Sequence, residues 1–213
     1  VITMPHSATS HLLPVFARVD LGFERGEGAW LISTSGERYL DFTSGVAVNA
    51  LGHCHPHLVA ALQEQATKLW HMSNLFRSPD GDKLAARLCE QSFADFVFFC
   101  NSGTEANENA MRMARMATGR EKVLTFTGGF HGRTADSISA TFLGKYREIG
   151  RPNVPGHVSA TFGDIVSVRA AADRDTAAIM LEPIQSMAGV REAKPGFFCE
   201  LREVCDELGI LLI

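Results

Sequence analysis

The stretch "FFCNSGTEANENAMRMAR", residues 98–115, decides the fold class. It begins as an apolar run, breaks at Asn101-Ser102-Gly103 and continues with the spacing of a helix. Ser102 is a good N-cap and Glu105 follows three residues later, the S-x-x-E capping box, so a helix is predicted over 103–118, stopped by Gly119. On pattern alone two readings stand side by side: a turn that only caps a helix, or a turn that holds a ligand. Two features add to the second. The turn lies at the carboxyl end of a predicted strand, where open parallel sheets bind ligands. Gly103 has no side chain, so a ligand can approach first-turn N–H groups that have no helical acceptor. Free amides and the helix dipole together suit an anion, phosphate above all. The chain has neither GxxxxGK nor GxGxxG, so neither the P-loop nor the dinucleotide fingerprint applies.

Outward from this turn the chain alternates. "FVFFC" (96–100), "KVLTF" (122–126), "AAIMLE" (177–182) and "ILLI" (210–213) read as strands, and "FFCELREVCDEL" (197–208) as a helix. Continuous apolar strands separated by helices predict an α/β fold, a mainly parallel sheet with helices on both faces. Residues 1–50 are turn-rich and predict small strands, with a hairpin around Ser35-Gly36. Pro56 suits a first helical position, and Leu58, Leu62, Ala66 and Leu69 recur at helical spacing. Another helix is predicted over 82–91. The expected organisation is residues 1–50 as the N-terminal segment of a smaller α+β domain and 51–213 as the first part of a large cofactor-binding domain. The final apolar residues read as the start of a buried strand, so the chain is expected to be the first part of a longer polypeptide.

The 213 residues carry a net charge of −4 with acids and bases interspersed, which suggests neither a nucleic-acid nor a membrane-surface partner. No apolar run reaches the roughly 18 residues of a membrane span. The five cysteines are odd in number and scattered, which reads as reduced thiols in a cytoplasmic protein.

Three further stretches carry candidate chemistry. "TGGFHGRT" (127–134) is a second Gly-rich turn at a predicted strand end; Phe130 and His131 could lay flat faces on an aromatic cofactor, and Arg133 could clamp a carboxylate. The bland reading is a loop with a buried aromatic and an exposed arginine. In "LEPIQ", Glu182 stands at the third strand end, as a functional carboxylate or a surface charge. "GHCHPH" (52–57) clusters His53, Cys54, His55 and His57, but it runs into a helix at Pro56 and no second ligand group matches it, so no metal is expected.

The segments "GERYLDFTSGVAVNALGHCHP", "KLWHMSNLFR", "NSGTEANE", "FHGRT" and "EPIQ" stand in the order and spacing of class III aminotransferases. The chain resembles that family from about residue 12 onward, most closely its acetylornithine/ornithine branch. The resemblance implies a fold-type I enzyme that uses pyridoxal 5′-phosphate and is usually a homodimer. It implies a transamination between an ornithine-like or other ω-amino donor and a 2-oxo acid. It assigns Ser102, Gly103 and Thr104 to the cofactor phosphate, Phe130 and His131 to the cofactor ring, and Glu182 to its neighbourhood. It assigns Arg133 to a substrate carboxylate, and Val46 and Ala47 to the substrate entrance.

Two departures from the family pattern stand out. The Asp that pairs with the pyridine nitrogen and the Schiff-base lysine belong to motifs beyond Ile213, and none of Lys68, Lys83, Lys122, Lys145 and Lys194 sits in the lysine motif. The 1–213 chain alone is therefore expected to be inactive. Met187, in "EPIQSMAGV", stands where the ornithine and aminobutyrate branches usually carry a Glu that pairs with a mobile arginine. Two alternatives remain: an enzyme like glutamate-semialdehyde aminomutase, or a non-catalytic phosphate-ligand or interaction module.

Overall fold

The computed structural model describes residues 11–13 and 15–213. The chain forms two compact units that divide between Pro79 and Asp80. In the first, β1 (Phe23–Glu27), β2 (Trp30–Ser33) and β3 (Arg38–Leu40) make an antiparallel sheet in that order. The β2–β3 hairpin turns at Gly36, which takes φ 85° and donates its N–H to the Ser33 carbonyl at 2.9 Å. The predicted hairpin thus forms where a residue free to adopt positive φ allows it.

After β3 the Asp41 carboxylate organises the next turn. Its Oδ1 accepts the Thr43 and Ser44 N–H groups at 3.0 and 2.9 Å, and its Oδ2 pairs with His53 Nε2 at 2.8 Å. The His53 contact, then those of Thr43 and Ser44, hold the Asp41 carboxyl down at about 2. The residues it launches, α1 (Ser44–Ala47), are wound left-handed, with φ of 46, 62, 65 and 64°. The helix α2 (Pro56–Ala66) then starts with Pro at its first turn, as its sequence predicts.

All but the first residue of α3 (Pro79–Glu90) belong to the second unit, and the helix starts three residues before the predicted Asp82. Next come α4 (Gly103–Thr118), β4 (Lys122–Phe126), α5 (Ala135–Ala140) and α6 (Gly144–Ile149). They are followed by β5 (His157–Ala160), α7 (Ile165–Ala171), β6 (Thr176–Ile179) and the short antiparallel pair β7 (Ile184–Gln185) and β8 (Arg191–Glu192). The chain closes with α8 (Phe197–Leu208) and β9 (Leu211–Leu212). The sheet runs β5-β4-β6-β9, all parallel.

Alternation along β4 and β6 feeds two cores. Leu124, Phe126 and Ile179 pack with Val168 of α7 and Leu201 and Val204 of α8. Val123 and Met180 pack with Met111 of α4 and Ala140 of α5. Each of the larger of these side chains, fully buried, contributes about 1.5–3 kcal/mol, so the two faces fix the register of the sheet. Phe126, Phe162 and Phe197 meet edge to face at 5.7–5.9 Å. The Arg120 guanidinium closes the far end by donating to the Thr176, Leu208 and Gly209 carbonyls. No helix among the described residues is long and apolar enough to cross a membrane.

One predicted strand is absent. Residues 96–100 form no ladder, with Phe96 91% and Phe98 65% exposed. An apolar run becomes a strand only when a neighbour supplies ladder partners. Both sides of β4 are taken by β5 and β6, and no described strand lies beside 96–100.

Candidate functional site

The capping turn of α4 is real and differs in one bond from the predicted box. Ser102 is the N-cap, with φ −156° and ψ 158°. Its Oγ accepts the Glu105 N–H at 3.3 Å and donates its proton to Glu105 Oε2 at 2.9 Å. Glu105 then reaches past the N-cap to accept the Asn101 N–H at 2.9 Å. The hydrogen bonds from Ser102, then Asn101, hold the Glu105 carboxyl below its usual range. Gly103 is not a conformational necessity, because its φ lies outside the left-handed region. Nor is it a packing necessity, because a Cβ there would meet no atom within 4 Å. It leaves open space where a side chain would stand at the start of a 16-residue helix, whose first-turn amides lack helical acceptors and suit an anion.

The turn after β4 packs against this cradle. Gly132 has φ 130°, and a Cβ on it would lie 2.2 Å from Thr104 Oγ1. His131 donates its backbone N–H to Thr141 Oγ1 at 2.9 Å, and its carbonyl accepts from Asn107 Nδ2 of α4 at 2.7 Å. Phe130 donates its N–H to Glu182 Oε1 at 2.7 Å, and Tyr146 of α6 meets its ring edge-on at 5.6 Å. The turns after β4 and β6 are thus tied at the carboxyl ends of neighbouring parallel strands. Gln185 adds a second tie, donating Nε2 to the Thr127 carbonyl at 3.2 Å.

The His131 side chain is 4% exposed, and its Nε2 has no hydrogen-bond partner. Burial, with a smaller contribution from His157, pushes its imidazole down to about 4, so it is neutral at pH 7. Arg133 is exposed on the same turn. The structure therefore gathers Ser102, Gly103, Thr104, Phe130, His131, Arg133 and Glu182 in one unit. Val46 and Ala47 lie in the other unit, on the left-handed turn, with Val46 83% exposed. Met187 is exposed just after β7. His53 of the histidine cluster is engaged by Asp41.

Several participants carried no sequence signal, because their partners are distant along the chain. Glu108 Oε1 accepts the Asp136 and Ser137 N–H groups at 3.0 and 3.1 Å and the Thr134 hydroxyl. Asp136 in turn accepts from Arg115 Nη1 and binds His157 Nε2, both at 2.6 Å. Burial pushes the Asp136 carboxyl up, but His157 and Arg115 outweigh it and hold it at about 2. A cavity of about 890 Å³ lies along this side of α4, lined by Asn101, Glu105, Glu108, Arg112, Thr134 and Asp136 among others.

The model of the family described as aminotransferase class-III matches residues 16–213. Acetylornithine aminotransferase 1 of Bradyrhizobium diazoefficiens is 60% identical over all of this chain and 54% of that protein. The crystal structure of N-acetylornithine aminotransferase from Stenotrophomonas maltophilia is 40% identical, with a TM-score of 0.77 over 92% of this chain and 50% of that one. A structure of the ornithine aminotransferase of Toxoplasma gondii, with partial occupancy of PLP at its active site, is 28% identical. It superposes with a TM-score of 0.88 over 95% of this chain and 50% of that one. The chain spans about half the length of the curated relatives it matches.

Proposed function

Because the chain belongs to the class III aminotransferase family, we propose that the full-length protein is a pyridoxal 5′-phosphate enzyme of fold type I. It moves an amino group from an ornithine-like or other ω-amino donor to a 2-oxo acid. The 60% identity to a named acetylornithine aminotransferase supports an acylated or free ornithine as the donor. The net charge of −4 and the free cysteines suit a cytoplasmic protein that acts on small molecules rather than nucleic acid or membrane. We read it as a homodimer, with residues 1–50 belonging to a smaller domain and 51–213 to the first part of the large one.

The residues present fit the cofactor. The space that a Cβ on Gly103 would enter holds no protein atom, and the Gly103 and Thr104 amides there would bind the phosphate. Phe130, set by Glu182 through its backbone and by Tyr146 through its ring, would cover the pyridine face. Neutral His131 adds no charge beside it. Arg133 would hold a substrate carboxylate with its planar fork. When bound, pyridoxal phosphate supplies the electron-withdrawing ring on which the amino group is carried.

The open cradle at Gly103 carries this reading, and it makes a clean test. A Cβ on Gly103 would meet no protein atom within 4 Å, so Gly103→Val adds bulk to open space beside the first-turn amides. The variant of the full-length protein should fold and melt like the parent and bind pyridoxal phosphate at least about tenfold more weakly, the loss of one or two charge-assisted hydrogen bonds. Unchanged cofactor affinity in the folded variant refutes the assignment.

A further inference from the structure

Thr104 is held from three sides. Gly132 abuts it, Ser137 Oγ donates to its carbonyl at 3.3 Å, and its hydroxyl lies 2.7 Å from that of Thr134. All three neighbours belong to the turn and helix start that Glu108 organises. Glu108 Oε1 takes the Thr134 hydroxyl and the Asp136 and Ser137 amides. The direction of the hydroxyl chain follows from counting protons. A hydroxyl has one proton. That of Thr134 goes to Glu108, so Thr104 must donate to Thr134. That of Ser102 goes to Glu105. The Ser102 proton is thus spent on the Glu105 carboxylate and the Thr104 proton on the Thr134 hydroxyl, and the backbone amides are left as the cradle's donors.

We propose that Glu108 is the positioning residue of the phosphate cradle. Its one carboxylate oxygen, acting through Thr134 and Ser137, fixes Thr104 and with it the direction of the first-turn amides. The proposal rests on the pyridoxal phosphate reading above and adds a residue that never touches the ligand. Glu108 sits three residues beyond Glu105 on the same helix, yet the two act differently. Glu105 closes its own helix end, whereas Glu108 joins α4 to the start of α5.

The test compares pyridoxal 5′-phosphate with pyridoxal, which differs only by the phosphate, in titrations of the full-length apoprotein. Wild type should prefer the phosphorylated form. Glu108→Ala should weaken pyridoxal phosphate about ten- to a hundredfold, as loss of an outer-shell partner does, and leave the affinity for pyridoxal unchanged. Thr134→Val, which cuts the relay but spares the Asp136 and Ser137 amide bonds, should lower the same ratio. Glu108→Gln, whose amide oxygen can still accept, should fall between, and it is read in place of Glu108→Ala if the latter does not fold. Equal losses for both ligands, or a preference identical to wild type, overturn the proposal while leaving the cofactor reading intact. A wild type without preference for the phosphorylated form overturns both.

Discussion

Gly132 offers the most quantitative check on how the two Gly-rich turns meet. A Cβ at this position would lie 2.2 Å from Thr104 Oγ1, 2.7 Å from Thr104 Cβ and 2.9 Å from Ser137 Cβ. The Thr104 hydroxyl could rotate only by giving up Thr134, and the two Cβ atoms are fixed to helices. The backbone contributes a second cost, because φ 130° disfavours any residue with a side chain. The strained backbone costs about 1–3 kcal/mol and the overpacking about as much again, so Gly132→Ala should destabilise the protein by about 2–6 kcal/mol. Gly189→Ala is the control. Its φ is 90° but its Cβ would meet nothing within 4 Å, so it carries the backbone cost alone. Urea unfolding of the full-length protein measures both. A Gly132→Ala variant no less stable than Gly189→Ala would refute the contact between the 127–134 turn and the α4 start.

His131 predicts a pH dependence. Its folded pKa of about 4 lies below the unfolded value of 6.5, so between them the unfolded chain holds the extra proton and acid favours unfolding. Its contribution is complete above pH 6.5 and is lost as pH falls toward 4, by up to about 3 kcal/mol; urea midpoints against pH should flatten in that window in His131→Gln, and an unchanged slope would contradict a buried neutral imidazole. Val46, β-branched at φ 65°, predicts that Val46→Gly stabilises the protein by about 1 kcal/mol. If the turn lines the substrate entrance, the same variant loses specificity constant while its melting temperature rises; a fall in both would show the turn to be simple scaffold.

The sequence was legible where local chemistry decides structure. The bounds of α4, β4 and α8 follow from a cap, an apolar run and a terminal glycine, and they fall where those signals stand. Residues 96–100 misled because apolarity reports burial, whereas a strand also needs a partner. The α5 and α6 pieces and β5 gave little pattern, being six, six and four residues long. Glu108 was invisible for a different reason: its partners lie 26 to 29 residues away, and no spacing rule reaches that far. The partner of the Ser102 hydroxyl was out of reach in the same way, because a sequence shows a hydroxyl but not which carboxylate takes its proton.

The site is better understood as a consequence of strand direction than of any single motif. Because β4 and β6 are parallel neighbours, the turns that leave them emerge on the same edge of the sheet. Phe130 and Glu182, 52 residues apart, can therefore share a hydrogen bond, and Gln185 can reach back to Thr127. The helix that precedes β4 in sequence must deliver its N-terminus to that edge, since it runs antiparallel to the strand it covers. Its unpaired amides then face the place where the turns converge. Glycines mark the convergence: a Cβ on Gly128 would lie 2.9 Å from Gln185 Oε1 and one on Gly132 would lie 2.2 Å from Thr104 Oγ1, whereas a Cβ on Gly103 would enter open space.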